Sequence, residues 1–354
     1  MITARSIESD AQARFISHAK YAQSVINVRV KSYTDLLRAT TSMIQSSDVL
    51  THQSFHEFAL GLNLARNFPA VDYINFAVQV TPERRQAFVD ALRKDVSDIF
   101  GKPVQVDISP PGDRHSYLVV AFVEPIPPGV PYFGVDLMAN RYFGNQLLQE
   151  RDSGQIFSAG TPIPMLSRPN NIYLGMRMPV YRNGQPLGTV DQRRAAYMGS
   201  LGIAFSVRKL LHGVMDEVPV AGLRMTLYDI GPGMDEYGRA TKGKPLVLFD
   251  SRGTTAEPTP APDVGDDVFT TTLPLDFNGR PWQTVYSVHK SALYTEFDGY
   301  YPKLMMAFGF IGSVLLYALL HILTSSRRAA LALAQEMTSE LRESQTKLQL
   351  SHQK

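Results

Sequence analysis

Ile172-Tyr-Leu-Gly-Met-Arg-Met-Pro-Val-Tyr181, then Arg182-Asn-Gly-Gln185, then Ala196-Tyr-Met-Gly-Ser-Leu-Gly-Ile-Ala-Phe205 is the stretch that decides the fold class. Two apolar runs rich in aromatic and β-branched residues flank a turn signal, which predicts two antiparallel strands. Asn183-Gly184 predicts a type I′ hairpin turn, because both residues tolerate the positive φ angles that this turn demands.

Working outward, residues 71–80 (Val-Asp-Tyr-Ile-Asn-Phe-Ala-Val-Gln-Val) and 116–123 (Ser-Tyr-Leu-Val-Val-Ala-Phe-Val) have the same strand composition. A short strand is expected to end at Phe133-Gly-Val-Asp136, and another covers 155–158. Between them, Thr81-Pro-Glu-Arg opens a helix through Phe88, Leu92 and Val96, and a second helix runs through Phe143, Leu147 and Leu148. Pro110-Pro-Gly-Asp113 is turn chemistry, and the prolines over 125–131 make a loop. Strands with helices to one side describe an α+β domain.

Ahead of this sheet, apolar or small residues recur at Phe15, Ala19, Ala22, Ile26, Tyr33, Leu37, Thr40 and Ile44, three or four apart and without Pro or Gly. This is one long amphipathic helix, ending at Ser47-Asp48, whose stripe packs either on its own domain or on a second copy of itself. Thr51 caps the next helix, which shows Phe55, Phe58, Leu62 and Ala65 to the core. His52 and His56, one turn apart with Glu57 beside them, have the spacing of two metal ligands, but no third ligand of suitable spacing follows, and no metal site is predicted.

After a connecting helix from Ser206 to about residue 216 comes a smaller unit: a strand over 223–229, a Gly/Pro loop to Lys244, a strand over 246–250, a Thr/Pro/Ala-rich loop over 251–266, and a hairpin turning at Asn278-Gly279. The glycines of 231–243 make no phosphate cradle, since no capped helix with Lys-Ser/Thr follows them. Leu304-Met-Met-Ala-Phe-Gly-Phe-Ile-Gly-Ser-Val-Leu-Leu-Tyr-Ala-Leu-Leu-His-Ile-Leu-Thr324 then reads as a transmembrane helix. About 20 residues at 1.5 Å each match a hydrocarbon core of roughly 30 Å. Arg327-Arg328, Arg342 and Lys347 place the C-terminal side in the cytoplasm, and Tyr300-Tyr301 suit the headgroup interface. Beyond it Leu333, Met337, Leu341, Ser344 and Leu348 form a coiled-coil-like stripe. His352 lacks the Glu-Leu-Arg-Thr-Pro context of a phosphoacceptor.

Composition narrows the function classes. The chain has 354 residues, 44% hydrophobic and 19% charged, with a net charge of +2, which argues against a nucleic-acid partner. It has no cysteine, which excludes thiolate catalysis and cysteine metal sites. No Gly-x-Ser-x-Gly elbow and no recognised pair of catalytic acids appear, so no catalytic residue and no cofactor is expected. Met1-Ile-Thr-Ala-Arg-Ser-Ile-Glu has no apolar core of a signal peptide, so a first transmembrane helix is expected before residue 1.

Several short pieces in fixed order are similar to the CHASE sensory domain, the extracellular module of bacterial and plant receptor kinases and cyclases. They are Phe55-His-Glu-Phe58; Phe68-Pro-Ala-Val71 leading into Ile74-Asn-Phe-Ala-Val78; Gly112-Asp-Arg114 with Tyr117; Glu124-Pro125; Gly134-Val-Asp136; Arg151-Asp-Ser-Gly154; Met178-Pro-Val-Tyr181; and Gly199-Ser-Leu-Gly202 on to Phe205. The resemblance spans about residues 50–215. It implies a long N-terminal helix through which dimers form, then a membrane-distal and a membrane-proximal PAS-like domain, flanked by transmembrane helices. The expected divisions are 1–48 (dimerisation helix), 49–216 (distal, ligand-binding), 217–302 (proximal), 303–325 (transmembrane) and 326–354 (cytoplasmic signalling helix).

What the resemblance implies for function is a periplasmic sensor of the inner membrane passing small-ligand binding to a C-terminal histidine kinase outside this chain. A diguanylate cyclase output and a protein-binding scaffold, for which the loop over 251–266 speaks, are the alternatives. Plant members bind cytokinins, and their ring-contacting acid falls in the segment matching Gly134-Val-Asp136. The stretch Ile156-Phe-Ser-Ala-Gly-Thr-Pro162 departs from theirs. The expected ligand is cytokinin-like or another small apolar or heteroaromatic compound. Asp136 would be its polar anchor, and Phe76, Tyr117, Val119, Phe157, Met176 and Met178 its walls, unless Asp136 is only a helix cap or a partner of Arg141.

Overall fold

In the computed structural model, residues 2–126, 132–163, 166–167, 171–218, 220–234, 240–252 and 265–351 are described. The loops expected over 125–131, 231–243 and 251–266 therefore fall partly outside the described residues, and His352 falls wholly outside them. The chain divides into two compact units, residues 12–293 and residues 1–11 with 294–354.

The larger unit takes up helix α1 (Ile2–Ser46) from residue 12 on, followed by α2 (His52–Leu62) and α3 (Leu64–Asn67). Thr51 caps α2 by a reciprocal pair of hydrogen bonds with Ser54. The first sheet is made of β1 (Val71–Val80), β2 (Tyr117–Glu124), β3 (Phe157–Ser158), β4 (Tyr173–Tyr181) and β5 (Tyr197–Ser206), in the order β2-β1-β5-β4-β3. All its pairings are antiparallel. Helices α4 (Arg85–Phe100), α5 (Arg141–Ser153) and α6 (Val190–Ala196) connect its strands, and α7 (Val207–Leu211) leaves it. Then come β6 (Arg224–Asp229), the small pair β7 (Gly233–Met234) and β8 (Ala240–Thr241), β9 (Leu246–Asp250), β10 (Val268–Phe277) and β11 (Arg280–His289). The second sheet has the antiparallel order β10-β11-β6-β9.

Two sequence expectations are corrected. The strands over 172–181 and 196–205 do pair, but no tight hairpin joins them. Thr189-Val-Asp-Gln192 is a capping box that starts α6 inside the connection, and of the Asn183-Gly184 pair only Gly184 has positive φ, 72°. A type I′ turn needs both residues positive. Asn278-Gly279 satisfies that condition, with φ of 50° and 82°, and β10 and β11 pair in register on either side of it. The strand expected at 133–136 is reduced to two isolated bridges, Ser109 to Val135 and Val119 to Asp136.

The stripe of α1 is spent inside the chain. Phe15, Ala19, Ala22, Ile26, Tyr33, Leu37 and Ile44 are all buried. Tyr33 packs edge-on against Phe205 of the first sheet, and Phe15 stacks on Phe269 of the second. The two sheets also meet directly, Phe205 against Phe277 at 5.6 Å, and Phe277 stacks on the single tryptophan, Trp282. Polar ties follow the same line: Gln23 donates to the Pro274 carbonyl and accepts from Thr284 and Tyr286, Thr34 donates to Asn278 Oδ1, and Gln45 donates to the Tyr181 carbonyl. The reading in which this stripe lies on a second copy is thus replaced by an intrachain core, because both sheets present apolar side chains to it.

In the smaller unit, α8 runs over Glu296–Ser351. Its segment Lys303–Ser344 contains an 18-residue window of mean hydropathy 2.1, long and apolar enough to cross a membrane. Its large apolar side chains are exposed, Phe310 by 72% and Tyr317 by 71%, which a buried core helix would not show.

Ile26→Asp puts a carboxylate where the side chain has no solvent access, and such a charge costs several kcal/mol unless it neutralises. Urea unfolding followed by Trp282 fluorescence should show the chain lose most of its stability, whereas a change below about 0.5 kcal/mol, the range of surface substitutions, would contradict the intrachain core.

Candidate functional site

Residues opposite one another in a sheet share a face. Across β1, β5, β4 and β3 the register aligns Asn75, Gly202, Arg177 and Phe157, with Ala77 opposite Ser200 one pair further along. This face lies under α5: Phe143 meets Phe157 edge-on, and Glu150 reaches Ser200. The alternate residues, Ile74, Ile203 and Met176 and then Phe76, Leu201 and Met178, belong to the face covered by α1 and α2.

The α5 face holds a buried polar cluster. Arg177, 5% exposed, donates through Nε to Ser200 Oγ, through Nη1 to Asn75 Oδ1 and through Nη2 to the Ser200 carbonyl, at 2.9, 2.9 and 2.7 Å. Ser200 passes the link on, donating to Glu150 Oε1 at 2.8 Å. Gly202 permits this arrangement, since a Cβ there would stand 2.3 Å from the Arg177 guanidinium. Gln146 lies one turn before Glu150 on α5, and both are 2% exposed. Glu150 Oε2, Gln146 Oε1 and the Tyr197 hydroxyl are buried without a hydrogen-bond partner. Each such atom costs about 1–3 kcal/mol when left unpaired, and three of them on one side of one sheet make this cluster the candidate site. Burial pushes the Glu150 carboxyl up to about 8 against the opposing pull of Arg177 and Ser200, and burial lowers Arg177 despite Glu150. A cavity of about 20 Å³ opens beside the cluster, between Leu118, Met138, Leu147, Arg151 and Tyr197.

The sequence-predicted site residues divide between the two faces. Phe76, Val119, Met176 and Met178 lie on the α1 and α2 side, and Phe157 lies on the α5 side. Tyr117 lines the small cavity and donates to the Gly112 carbonyl. Asp136 is buried at the edge of β2. Its Oδ1 accepts from the Leu118 and Met138 amides, both at 3.0 Å, and its Oδ2 lies 3.2 Å from Arg114 Nη1 without hydrogen-bond alignment. It caps the turn Leu137–Ala139 and clamps that segment to β2. Gly134 allows the approach, with φ of 83° and the Asp107 carbonyl 2.3 Å from where a Cβ would be.

Arg177, Ser200, Asn75, Gln146, Glu150 and Tyr197 were missed by the sequence reading. The available signals were an arginine inside the apolar run Met176-Arg-Met178, and two polar residues four apart flanking Leu147-Leu148 on a face expected to be apolar. The histidines part company: His52 Nε2 is 2.9 Å from the Ala121 carbonyl and His56 Nδ1 is 2.8 Å from Glu124 Oε1. No group of three side chains placed to hold a metal occurs among the described residues. A larger cleft of about 540 Å³ lies between Thr161, Gly231, Gly243 and Lys244, where Arg280 is already paired with Asp229 at 2.7 Å.

A family model described as the CHASE domain matches residues 48–240. No curated protein matches the sequence. Among solved structures, the chain is similar to the ligand-binding domain of the Pseudomonas aeruginosa PAO1 amino acid chemoreceptor PctC in complex with GABA, at 12% identity and a TM-score of 0.40, covering 75% of this chain and 95% of that one. The periplasmic sensory domain of the Campylobacter jejuni chemoreceptor Tlp1 shares 10% identity with a TM-score of 0.40, covering 83% and 99%. An extracellular ligand-binding receptor from Desulfohalobium retbaense shares 8% identity with a TM-score of 0.45, covering 77% and 40%.

The raised Glu150 carboxyl carries a pH signature. The fold favours its protonated form, so that contribution to stability is fully present below the unfolded value of 4.5 and is lost as pH rises through about 8. The melting temperature should therefore fall between about pH 5 and 8, and Glu150→Gln should flatten this slope. An unchanged slope in Glu150→Gln would show that Glu150 is not the group responsible.

Proposed function

We propose that this chain, which belongs to the CHASE-domain family, is the sensory and membrane-spanning part of an inner-membrane receptor for a small ligand. The observation that supports this most directly is the cluster of buried, unpartnered polar atoms under α5, inside the stretch matched by the family model. Ligand sites combine apolar walls with a few convergent polar groups, and here Leu118, Leu147 and Leu148 line the small cavity together with Tyr197, while Glu150 and Gln146 are buried on the same helix. In this reading 49–216 is the ligand-binding domain, 217–302 relays the change, 303–325 spans the membrane and 326–354 leads to the output domain. Residues before 303 face the periplasm, because Arg327, Arg328, Arg342 and Lys347 hold the other end in the cytoplasm.

A histidine kinase is the proposed output and a diguanylate cyclase the second choice. The receptor works as a homodimer. Since the apolar stripe of α1 is used within the chain, its contact falls on the exposed side of that helix, where Tyr21 and Val28 stand. The signal passes as a small rotation or shift along α8.

A thermal-shift screen of the full chain in lipid nanodiscs tests the sensor reading: a small molecule at 100 times its dissociation constant adds about 2.7 kcal/mol, and Glu150→Gln should abolish or strongly reduce that gain. A hit whose gain survives in Glu150→Gln would place the ligand elsewhere. In the receptor with its output domain, one residue inserted after Arg328 turns the following helix by about 100° and should reset output. Output indifferent to insertions of one, two and three residues would exclude a rigid helical relay.

A further inference from the structure

Away from the polar cluster, the cleft of about 540 Å³ opens between the segment after β3 and the loops of the second sheet. Small-molecule sites occupy about 300–1,000 Å³, so there is room here for a ligand with an organic body. Arg280, the first residue of β11, lines the cleft and packs on backbone from both segments. A Cβ at Gly160 would stand 2.1 Å from its guanidinium carbon and one at Gly231 would stand 2.8 Å from it, so a side chain at either position would displace the guanidinium.

The carboxylate and side-chain amide oxygens at the cleft are engaged. Asp229, 2% exposed, accepts from the Gly231 amide at 2.9 Å and from Arg280 Nε at 2.7 Å, and Asn140 Oδ1 accepts from the Phe143 amide at 3.1 Å. Donors remain. Arg280 Nη1 reaches the Pro232 carbonyl at 3.3 Å, but its Nη2 donates to no group among the described residues, and neither does Asn140 Nδ2. Lys244 is exposed and forms no ion pair among the described residues. The charged side chains lining the cleft are Asp229, Lys244 and Arg280, one negative and two positive, a net charge of +1.

We infer that this cleft is a second ligand site, separate from the α5 cluster and independent of its reading, and that it takes the carboxylate of a small organic monoanion through Lys244, Arg280 Nη2 and Asn140. A carboxylate brings one negative charge and two acceptor oxygens, which suits a surplus of one positive charge and a set of unused donors. A phosphate dianion would turn the cleft net negative, and the glycines of 231–243 lack the capped helix with Lys-Ser/Thr that cradles one. An amine would add a further positive charge and find the Asp229 carboxylate already paired. Pro162 and Leu246 give apolar surface to the body of the ligand. Since 160–162 follow β3 of the first sheet while Asp229 and Arg280 belong to the second, a bound carboxylate touches segments of both sheets at once.

Calorimetry on the full chain in phosphatidylcholine nanodiscs at low ionic strength tests this with benzoate, benzylamine and inorganic phosphate. Benzoate should bind and weaken as salt is added, because charges at an open cleft are screened. Benzylamine should not bind, and phosphate should bind more weakly than benzoate. Lys244→Gln, at an exposed position, should leave the melting temperature of the free chain unchanged and weaken benzoate by about fivefold, the upper range for an exposed ion pair. Lys242→Gln, two residues away and outside the cleft, should change the affinity by less than about twofold. Hydrogen exchange with saturating benzoate should show added protection over 159–163 and 229–233, with β4 and β5 unchanged. Benzoate binding that Lys244→Gln leaves intact, or that protects β4 and β5 instead, overturns the inference, the second result leaving the α5 reading in place. Benzylamine or phosphate binding as tightly as benzoate overturns the carboxylate assignment. No benzoate binding to the unsubstituted chain overturns the site, and ligand binding under α5 is then still judged by protection of α5, β4 and β5.

Discussion

One helix face carries most of what holds the larger unit together. The buried side of α1 is shared between two sheets, Tyr33 meeting Phe205 in one and Phe15 meeting Phe269 in the other. Neither sheet has a closed core without it. The direct aromatic contact between the sheets, Phe205 on Phe277, is accompanied by Gln23 of the same helix accepting from two buried hydroxyls of β11, Thr284 and Tyr286. Burying apolar area there contributes roughly 25 cal/mol per Å², and a stripe used this way leaves only the opposite side of α1 for other partners.

That division of labour frees the other face of the first sheet. With α1 and α2 closing one side, the α5 side can carry polar groups that weaken the fold. Arg177 lies across Gly202, tied to Ser200 and Asn75, and Ser200 hands the link to Glu150. A partly satisfied buried network is less stable than an apolar core of the same shape. Proteins keep such clusters where chemistry or recognition needs them, which is why this face of the sheet is the candidate ligand site. The Asp136 clamp on β2, with Arg114 behind it, fixes the segment leading into α5 and so the height of α5 above the sheet.

The sequence showed the frame more clearly than the site. Strand and helix identities followed from composition and period, as in the apolar run of β2 and the three-and-four spacing of α1, because those signals arise from burial that each element enforces locally. The resemblance to the CHASE domain pointed to the family that the model match over 48–240 then showed. The face of each strand residue was not legible. Phe76, Met176 and Met178 look like pocket walls in one dimension, yet register sets them under α1 and α2, and register is a long-range property. The polar cluster was missed for the same reason: Glu150, Arg177 and Ser200 are far apart in the chain, and only the pairing of β4 with β5 beneath α5 brings them together. The connection at 182–196 was misread because the Asn-Gly signal is local, and the capping box at Thr189 outweighed it.

The central claim is that a small ligand binds between α5 and the first sheet. Hydrogen exchange of the full chain in lipid nanodiscs, with and without a saturating small-molecule hit from the thermal-shift screen, tests it most directly, because amide protection reports where binding energy is spent. The account predicts added protection over α5, β4 and β5, with the second sheet changing less. Protection confined to β6, β9 and the cleft at Lys244, with α5 unchanged, would contradict it.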